Sequence, residues 1–353
     1  MKNIKYISLL MIAITMIIVA CSSSDDNIFS IENNLEDIFD SGIRPQVQEL
    51  QNEAANFDLL VTAFNETPNE ENFNALRTSW QTLTLSWKSL EAITIGDFAL
   101  ISRVTAIHFW PIEVETLQQN IQNYTETDFS LDARARGLGA LEYILFANDY
   151  NTFINNDNAT NYIAYLNVIT DQLRSDINSY DQAWLDFEEE FKTGVESSVT
   201  GTQSELINEV IVTFFDIIVT KIQGAILSNE EGTVPLNSET PYSELSLEII
   251  EVQIEFIERL FSGNFSESIG TVSIYDQLND LGRSDLVENL DTQFELVLSN
   301  LLTEENSLEY LIINNSQNLE TIEDSIRTLS VLISNDVVSA LDILITASDN
   351  DGD

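Results

Sequence analysis

Apolar residues along most of this chain recur every three or four positions, the spacing that lines one face of an α-helix. Phe73, Leu76, Trp80, Leu83, Trp87 and Leu90 alternate such steps without a miss, an a/d-type seam suited to antiparallel bundle packing, with the two tryptophans as core. Before it, Pro45 suits the first turn of a helix carrying Val47, Leu50, Ala54, Phe57, Leu60 or Val61, and Phe64. Thr67-Pro68-Asn69 breaks that helix, and Gly96-Asp97 ends the next. Glu113 to Tyr124 reads as helical, and Asp128 or Ser130 is placed to cap the helix after it. An Asn/Asp-rich loop over Asn151–Tyr162 leads into Tyr162, Leu166, Ile169, Leu173 and Ile177, a stripe extended to Trp184, Phe187 and Phe191. Leu206 to Leu227 carries a wide apolar face. Thr240-Pro241 predicts an N-cap with proline at the first helical position, ahead of Ile249, Val252, Phe256 and Leu260. Further helices are expected around Leu286–Leu302 and Leu308–Ile333.

These elements predict an all-α fold of two helical-bundle halves packed together. The chain has 12 glycines and 5 prolines in 353 residues, as long uninterrupted helices require. The stretch from Gly194 to Gly201, with Ser197-Ser198 and Thr200-Gly201-Thr202, is the best boundary. It divides an N-terminal bundle over 31–195 from a C-terminal bundle over 196–353. No repeat of fixed period is present, which excludes a solenoid.

One stretch breaks the ordinary rules. In Arg136-Gly137-Leu138-Gly139-Ala140-Leu141-Glu142-Tyr143-Ile144-Leu145-Phe146, Leu138, Leu141 and Leu145 mark an apolar stripe. Glu142 falls on or beside it, and a buried carboxylate is costly unless a cation, a donor or a metal meets it. Gly137 and Gly139 each cost about 1 kcal/mol against alanine inside a helix, and offer close approach of a backbone or a ligand in return. An inward acid flanked by two glycines reads as a site. The plain alternative is a helix start whose acid reaches water.

The N-terminus carries an address. Lys2 and Lys5, the apolar run Ile7–Ala20 and the lipobox Ile18-Val19-Ala20-Cys21 read as a lipoprotein signal peptide over 1–20. A polar Ser/Asp spacer over 21–30 follows. Cys21 is the sole cysteine, so disulfides are excluded and its expected task is lipid attachment. Ser22 at the second mature position favours the outer membrane, facing the periplasm or displayed at the cell surface. The formal net charge of −45 becomes more negative without the leader, which holds two lysines and no acid. Such a body excludes nucleic acid as a partner, because phosphate contacts need lysine and arginine. With 44% hydrophobic residues the chain is folded. Its end, Ser348-Asp349-Asn350-Asp351-Gly352-Asp353, lacks the glutamate a calcium loop needs and reads as a solvated tail.

Several chemistries are excluded by residue supply. No His-Glu-x-x-His pair exists for a zincin, no serine sits on a nucleophile elbow, and no phosphate-cradling glycine loop is visible. His108 is the only histidine, so most soft-metal sites and any Cys-His dyad drop out. Its plain reading is a hydrogen-bonded loop histidine.

The run Gly137–Phe146 resembles the signature of the imelysin family, a Gly-x-His-x-x-Glu pattern running into Tyr-Leu-Leu-Phe. Gly137 and Glu142 match it, whereas Gly139 stands where the histidine would be. Trp80, Trp87, Glu91 and Gly96 resemble the family's Trp-rich helix, which ends in a Ser-Glu-Ala-Phe-x-Phe-Gly-like run. Ile107-His108-Phe109-Trp110-Pro111 is similar to its Ile-Asp-x-Trp-Pro segment, with His108 at the aspartate position. Glu239 to Gly263 resembles the C-terminal half, where a Glu-Ser-Pro-like opening leads through a Ser-rich helix to Tyr-x-Gly. The resemblance implies two bundle-like halves with the signature site near their junction. Its members are classed as peptidases, yet many are linked to iron or haem uptake and lack demonstrated proteolysis.

Oxygen ligands remain for chemistry. Glu91 and Glu142, joined by His108 or Glu113, are the candidate ligands of a hard cation such as iron or another divalent or trivalent ion. No catalytic residue is assigned, since without a histidine at Gly139 no general base with a positioned water can be named. The sequence therefore points to an imelysin-like, lipid-anchored envelope protein that binds a ligand, works with iron or haem uptake components and is not an active peptidase. The alternatives are a metal-dependent peptidase using His108 in place of the lost histidine, and a structural surface lipoprotein with an eroded site.

Overall fold

The proline-led seam forms the first long helix. In a computed structural model describing residues 29–346 apart from 97, 126–131, 230–236, 266–271 and 315, α1 (Ile31–Asp37) runs through a π-helical stretch (Ile38–Ile43) into α2 (Arg44–Glu66), with Pro45 in the first turn. The leader, Cys21, most of the spacer, Asp128, Ser130, the loop over 230–236 and the acidic tail lie outside the described residues. Asn69 starts α3 (Glu70–Glu91), its side-chain oxygen accepting the Asn72 N–H at 2.8 Å. Every residue of the Phe73–Leu90 seam is fully buried.

The rest of the first half comprises α4 (Phe98–Ile107), α5 (Val114–Gln122), α6 (Gly137–Phe146), α7 (Tyr150–Ile154) and α8 (Ala159–Thr193). The Asn/Asp-rich stretch is thus only partly loop. Asp149 accepts the Thr152 N–H at 2.8 Å and nucleates α7, and α8 begins at Ala159, ahead of the first apolar stripe residue. In the second half, α9 (Thr202–Phe215) passes through a π-helical stretch (Asp216–Gln223) into α10 (Gly224–Ser228). This stretch is apolar enough to cross a membrane by length and composition, yet Phe214, Ile217, Ile218, Lys221 and Ile222 are buried in the body. There follow α11 (Ser246–Ser262), α12 (Ile274–Asp280), α13 (Ser284–Leu302), α14 (Leu308–Ile313) and α15 (Gln317–Val331), and a last π-helical stretch (Leu332–Val337) leads to α16 (Val338–Leu341). The single helix expected over Leu308–Ile333 is broken, because the Ser316 hydroxyl takes the Asn318 N–H at 3.3 Å and starts α15 afresh.

The described residues contain no strand, only one isolated bridge between His108 and Gly137. α2 packs on α3 and α8, α4 on α8, and α6 lies against both α3 and α8. In the second half α13 packs on α11, α12 and α15. α11 also lies on α3, so the halves share one continuous apolar core. Trp87 meets Tyr180 edge-on at 5.1 Å, and Trp184 meets Phe39 at 6.1 Å. The tryptophans are core, each ring removing a large apolar area from water.

Candidate functional site

Helix α6 is buried from Gly137 to Leu145, and its two ends are fixed by contacts the sequence encodes. At its start Gly137 has φ +73°, and a Cβ there would stand 2.3 Å from the Ile107 carbonyl oxygen. Only glycine accepts both the left-handed backbone and that approach. Trp80 Nε1 donates to the Leu138 carbonyl at 3.0 Å. At the far end Arg77 donates to the Leu145 and Asn148 carbonyls at 2.7 and 2.8 Å, a cation at the negative end of a helix.

Glu142 therefore has nowhere to go but inward, and it is 3% exposed. Its Oε1 accepts from the Tyr242 N–H at 2.9 Å, the Ser243 N–H at 2.9 Å and the Ser243 hydroxyl at 3.1 Å. Burial pushes its pKa from 4.5 up to about 8, against the opposing pull of the Ser243 and Tyr242 N–H groups. Those two N–H groups explain why α11 begins at Ser246 and not at Pro241, as the Thr240-Pro241 pair had suggested. They point at Glu142 instead of opening a helix. Glu244 takes φ +57° to make the bend, an unusual backbone for a non-glycine residue. Thr240 and Ser246 brace the loop. Thr240 N–H donates to Ser246 Oγ at 3.0 Å, Leu245 N–H to Thr240 Oγ1 at 3.1 Å, and the Ser246 hydroxyl to buried Glu309 at 2.6 Å. Burial raises the Glu309 carboxyl as well.

A second acid sits beside the first. Glu239 is bound by Lys88 at 2.6 Å and Lys221 at 2.9 Å, all three side chains being at most 3% exposed. Burial would raise this carboxyl, but the two ammonium groups outweigh it and hold it well below the usual carboxylate range. Lys88 also pairs with Glu91. His108 Nδ1 lies 3.9 Å from Glu239. Burial first, and then Lys88, push the imidazole well below its usual pKa, so it is neutral.

Between the two acids opens a cleft of about 290 Å³, walled by Trp110, Pro111, Pro241 and Tyr242 and reaching Glu142, Glu239 and the buried Ser238. Gly139 borders this cleft, but the direction a side chain would take from it is blocked. A Cβ there would meet Ile112 Cγ2 at 2.4 Å and the Phe109 carbonyl at 3.2 Å. Gly139 thus lets the Trp110–Ile112 loop press against α6.

The four candidate ligands separate. Glu142 lies at the centre, and His108 sits behind Gly139, its Cδ2 3.7 Å from where a Cβ would be. Glu91 is one link away, through Lys88. Glu113 does not join at all, since it is 44% exposed and paired with Arg134 at 2.9 Å. Among the described residues no group of three or more His, Cys, Asp or Glu side chains is placed to hold a metal ion. For a metal Glu142 offers only Oε2, since Oε1 already accepts three hydrogen bonds, and Glu239 is taken up by two ammonium groups, so one carboxylate oxygen alone would face a bare ion. Sequence reasoning missed Lys88, Lys221 and Glu239. The available signal was two lysines set in apolar helix faces of a chain with only 14 lysines and arginines.

A family model described as imelysin, peptidase M75, matches residues 43–335. Among solved structures, a protein provisionally named an iron-regulated protein A precursor from Parabacteroides distasonis ATCC 8503 superimposes with a TM-score of 0.75 at 15% identity, over 89% of this chain and 95% of that one. An imelysin-like protein from Psychrobacter arcticum 273-4 gives a TM-score of 0.72 at 14% identity, over 91% and 99% of the two chains. No curated protein matches.

Proposed function

Since this chain belongs to the imelysin family, we propose that it is a non-catalytic ligand-binding protein of the cell envelope, tethered to the outer membrane through acylated Cys21 and serving iron or haem acquisition. The observation that carries the reading is the Glu142 carboxyl, buried at the junction of the two halves and open to a cleft between Trp110 and Tyr242. A buried acid without an ion pair is costly to keep, and a preformed pocket with a few convergent polar groups is the usual form of a ligand site. The link to iron draws on the family and on the name of the Parabacteroides neighbour. Proteolysis is disfavoured by the glycine at 139, which leaves the signature with one candidate ligand, Glu142, in place of two.

Native mass spectrometry of protein taken from envelopes of iron-starved cells tests this. A small-molecule adduct on the wild type that is missing from Glu142→Gln is expected. Chelator-sensitive peptide hydrolysis, or the absence of any adduct on the wild type, would contradict it.

A further inference from the structure

Glu142 holds an arrangement made for a negative charge and lacks the positive one. Two backbone N–H groups and a hydroxyl converge on a single oxygen, the kind of donor set that stabilises an ionised carboxylate. Among the described residues no lysine, arginine or histidine nitrogen comes within 4.0 Å of it. The undescribed stretches inside 29–346 contain none of these residue types, so they cannot supply one. The buried lysines Lys88 and Lys221 are spent on Glu239.

The cleft in front of the carboxyl has a particular character. Trp110 and Tyr242 give it aromatic walls, Pro111 and Pro241 add stiff apolar surface, and the buried Ser238 lies in its lining beside the Glu309 carboxyl. Aromatic faces attract cations, and an apolar wall suits the carbon body of an organic ion better than a hydrated metal. At about 290 Å³ the space lies just below the ~300–1,000 Å³ of drug-sized sites.

We propose that the cleft takes a protonated amine, its ammonium head on Glu142 and its carbon body between Trp110 and Tyr242. This rests on the ligand-binding reading above and narrows it to one chemical class. The amine can be a free small molecule or a lysine side chain of a peptide, and both present the same head group.

Titration calorimetry and tryptophan fluorescence of the full-length protein test this with n-butylammonium, with n-butanol and butyrate as neutral and anionic isosteres, with a blocked Gly-Lys-Gly peptide, and with iron(III) citrate. Binding of n-butylammonium at least tenfold tighter than of either isostere is expected, weakened at least tenfold in Glu142→Gln and in Trp110→Leu. Binding of the peptide as well would assign the ammonium to a protein-borne lysine; binding of n-butylammonium alone, to a free amine. Equal binding of n-butylammonium by wild type and Glu142→Gln would overturn the proposal. Binding of iron or an isostere in preference to the amine would overturn it while leaving a ligand-binding protein. Failure of every probe, with no adduct on protein from cells, would end both. The wild-type comparison among isosteres stands even if a variant fails to fold.

Discussion

Glu142 Oε1 and the backbone N–H of Tyr242 lie 2.9 Å apart although one hundred positions separate them in the chain. That hydrogen bond, with the two from Ser243, fastens the second half of the molecule to the central helix of the first. It also decides where α11 can begin. Structure and site are therefore tied together at one carboxyl group.

The raised pKa of Glu142 gives the fold a signed pH dependence. The folded state keeps this proton up to about pH 8, whereas the unfolded chain releases it near 4.5. Between those values the folded state binds more protons, so the contribution to stability is complete below about 4.5 and is lost as pH rises through 8. Glutamine keeps an acceptor oxygen for the three donors and cannot ionise. Chemical denaturation of Glu142→Gln is expected to show a stability advantage over wild type that grows from pH 5 to pH 8 and then levels. A difference independent of pH would refute this.

Lys88, Glu239 and Lys221 form a buried ion group in which each half contributes charge. Removing one member leaves another uncompensated in an apolar surround. Lys221→Met is expected to cost about 3–5 kcal/mol in urea unfolding. An exposed pair such as Arg134–Glu113 serves as the control, where loss of one partner should cost far less than at the buried group. Equal small losses at both places would show that the buried group is solvated.

Restoring the family histidine should not be benign. At Gly139 any side chain meets Ile112 and the Phe109 carbonyl, so Gly139→Ala is expected to cost about 1–3 kcal/mol through overpacking. Gly139→His should cost more. Adding Ile112→Ala to Gly139→Ala should recover part of the loss, a coupling that a double-mutant cycle on thermal melts would read. Additive losses would mean that Ile112 is not the obstacle.

Two glycines share one backbone angle and differ in surroundings. Gly137 and Gly282 both have φ +73°, but a methyl at 137 would strike the Ile107 carbonyl at 2.3 Å and one at 282 would meet nothing within 4 Å. Gly282→Ala is expected to cost only the left-handed strain, about 1–2 kcal/mol. Gly137→Ala should cost clearly more and disturb the His108–Gly137 bridge. Similar losses for the two would discount the close approach.

Much of this was legible in the sequence because helical periodicity is a local signal. The seam from Phe73 to Leu90 and the stripe from Tyr162 to Phe191 appear as whole helix faces, while the position of Glu142 between Leu138 and Leu145 left both burial and a water-reaching edge open. The partner of Glu142 was not legible, since Tyr242 and Ser243 meet it only through tertiary folding. The proline signal at Pro241 misled for the same reason, because the N–H groups after it serve a distant carboxyl. Glu113 looked like a ligand from its closeness to Trp110-Pro111 along the chain, but it is held on the surface by Arg134. Glu239 escaped notice because nothing local shows that Lys88 and Lys221 converge on it.

The most direct test of the inward-held acid is a carbon-13 NMR titration of the glutamate carboxyls, with the Glu142 signal assigned by its loss in Glu142→Gln. An apparent pKa near 8 in the ligand-free protein, falling when n-butylammonium is added, is the expected result. A signal that titrates near 4.5 and ignores the amine would place this carboxylate in water and contradict the account.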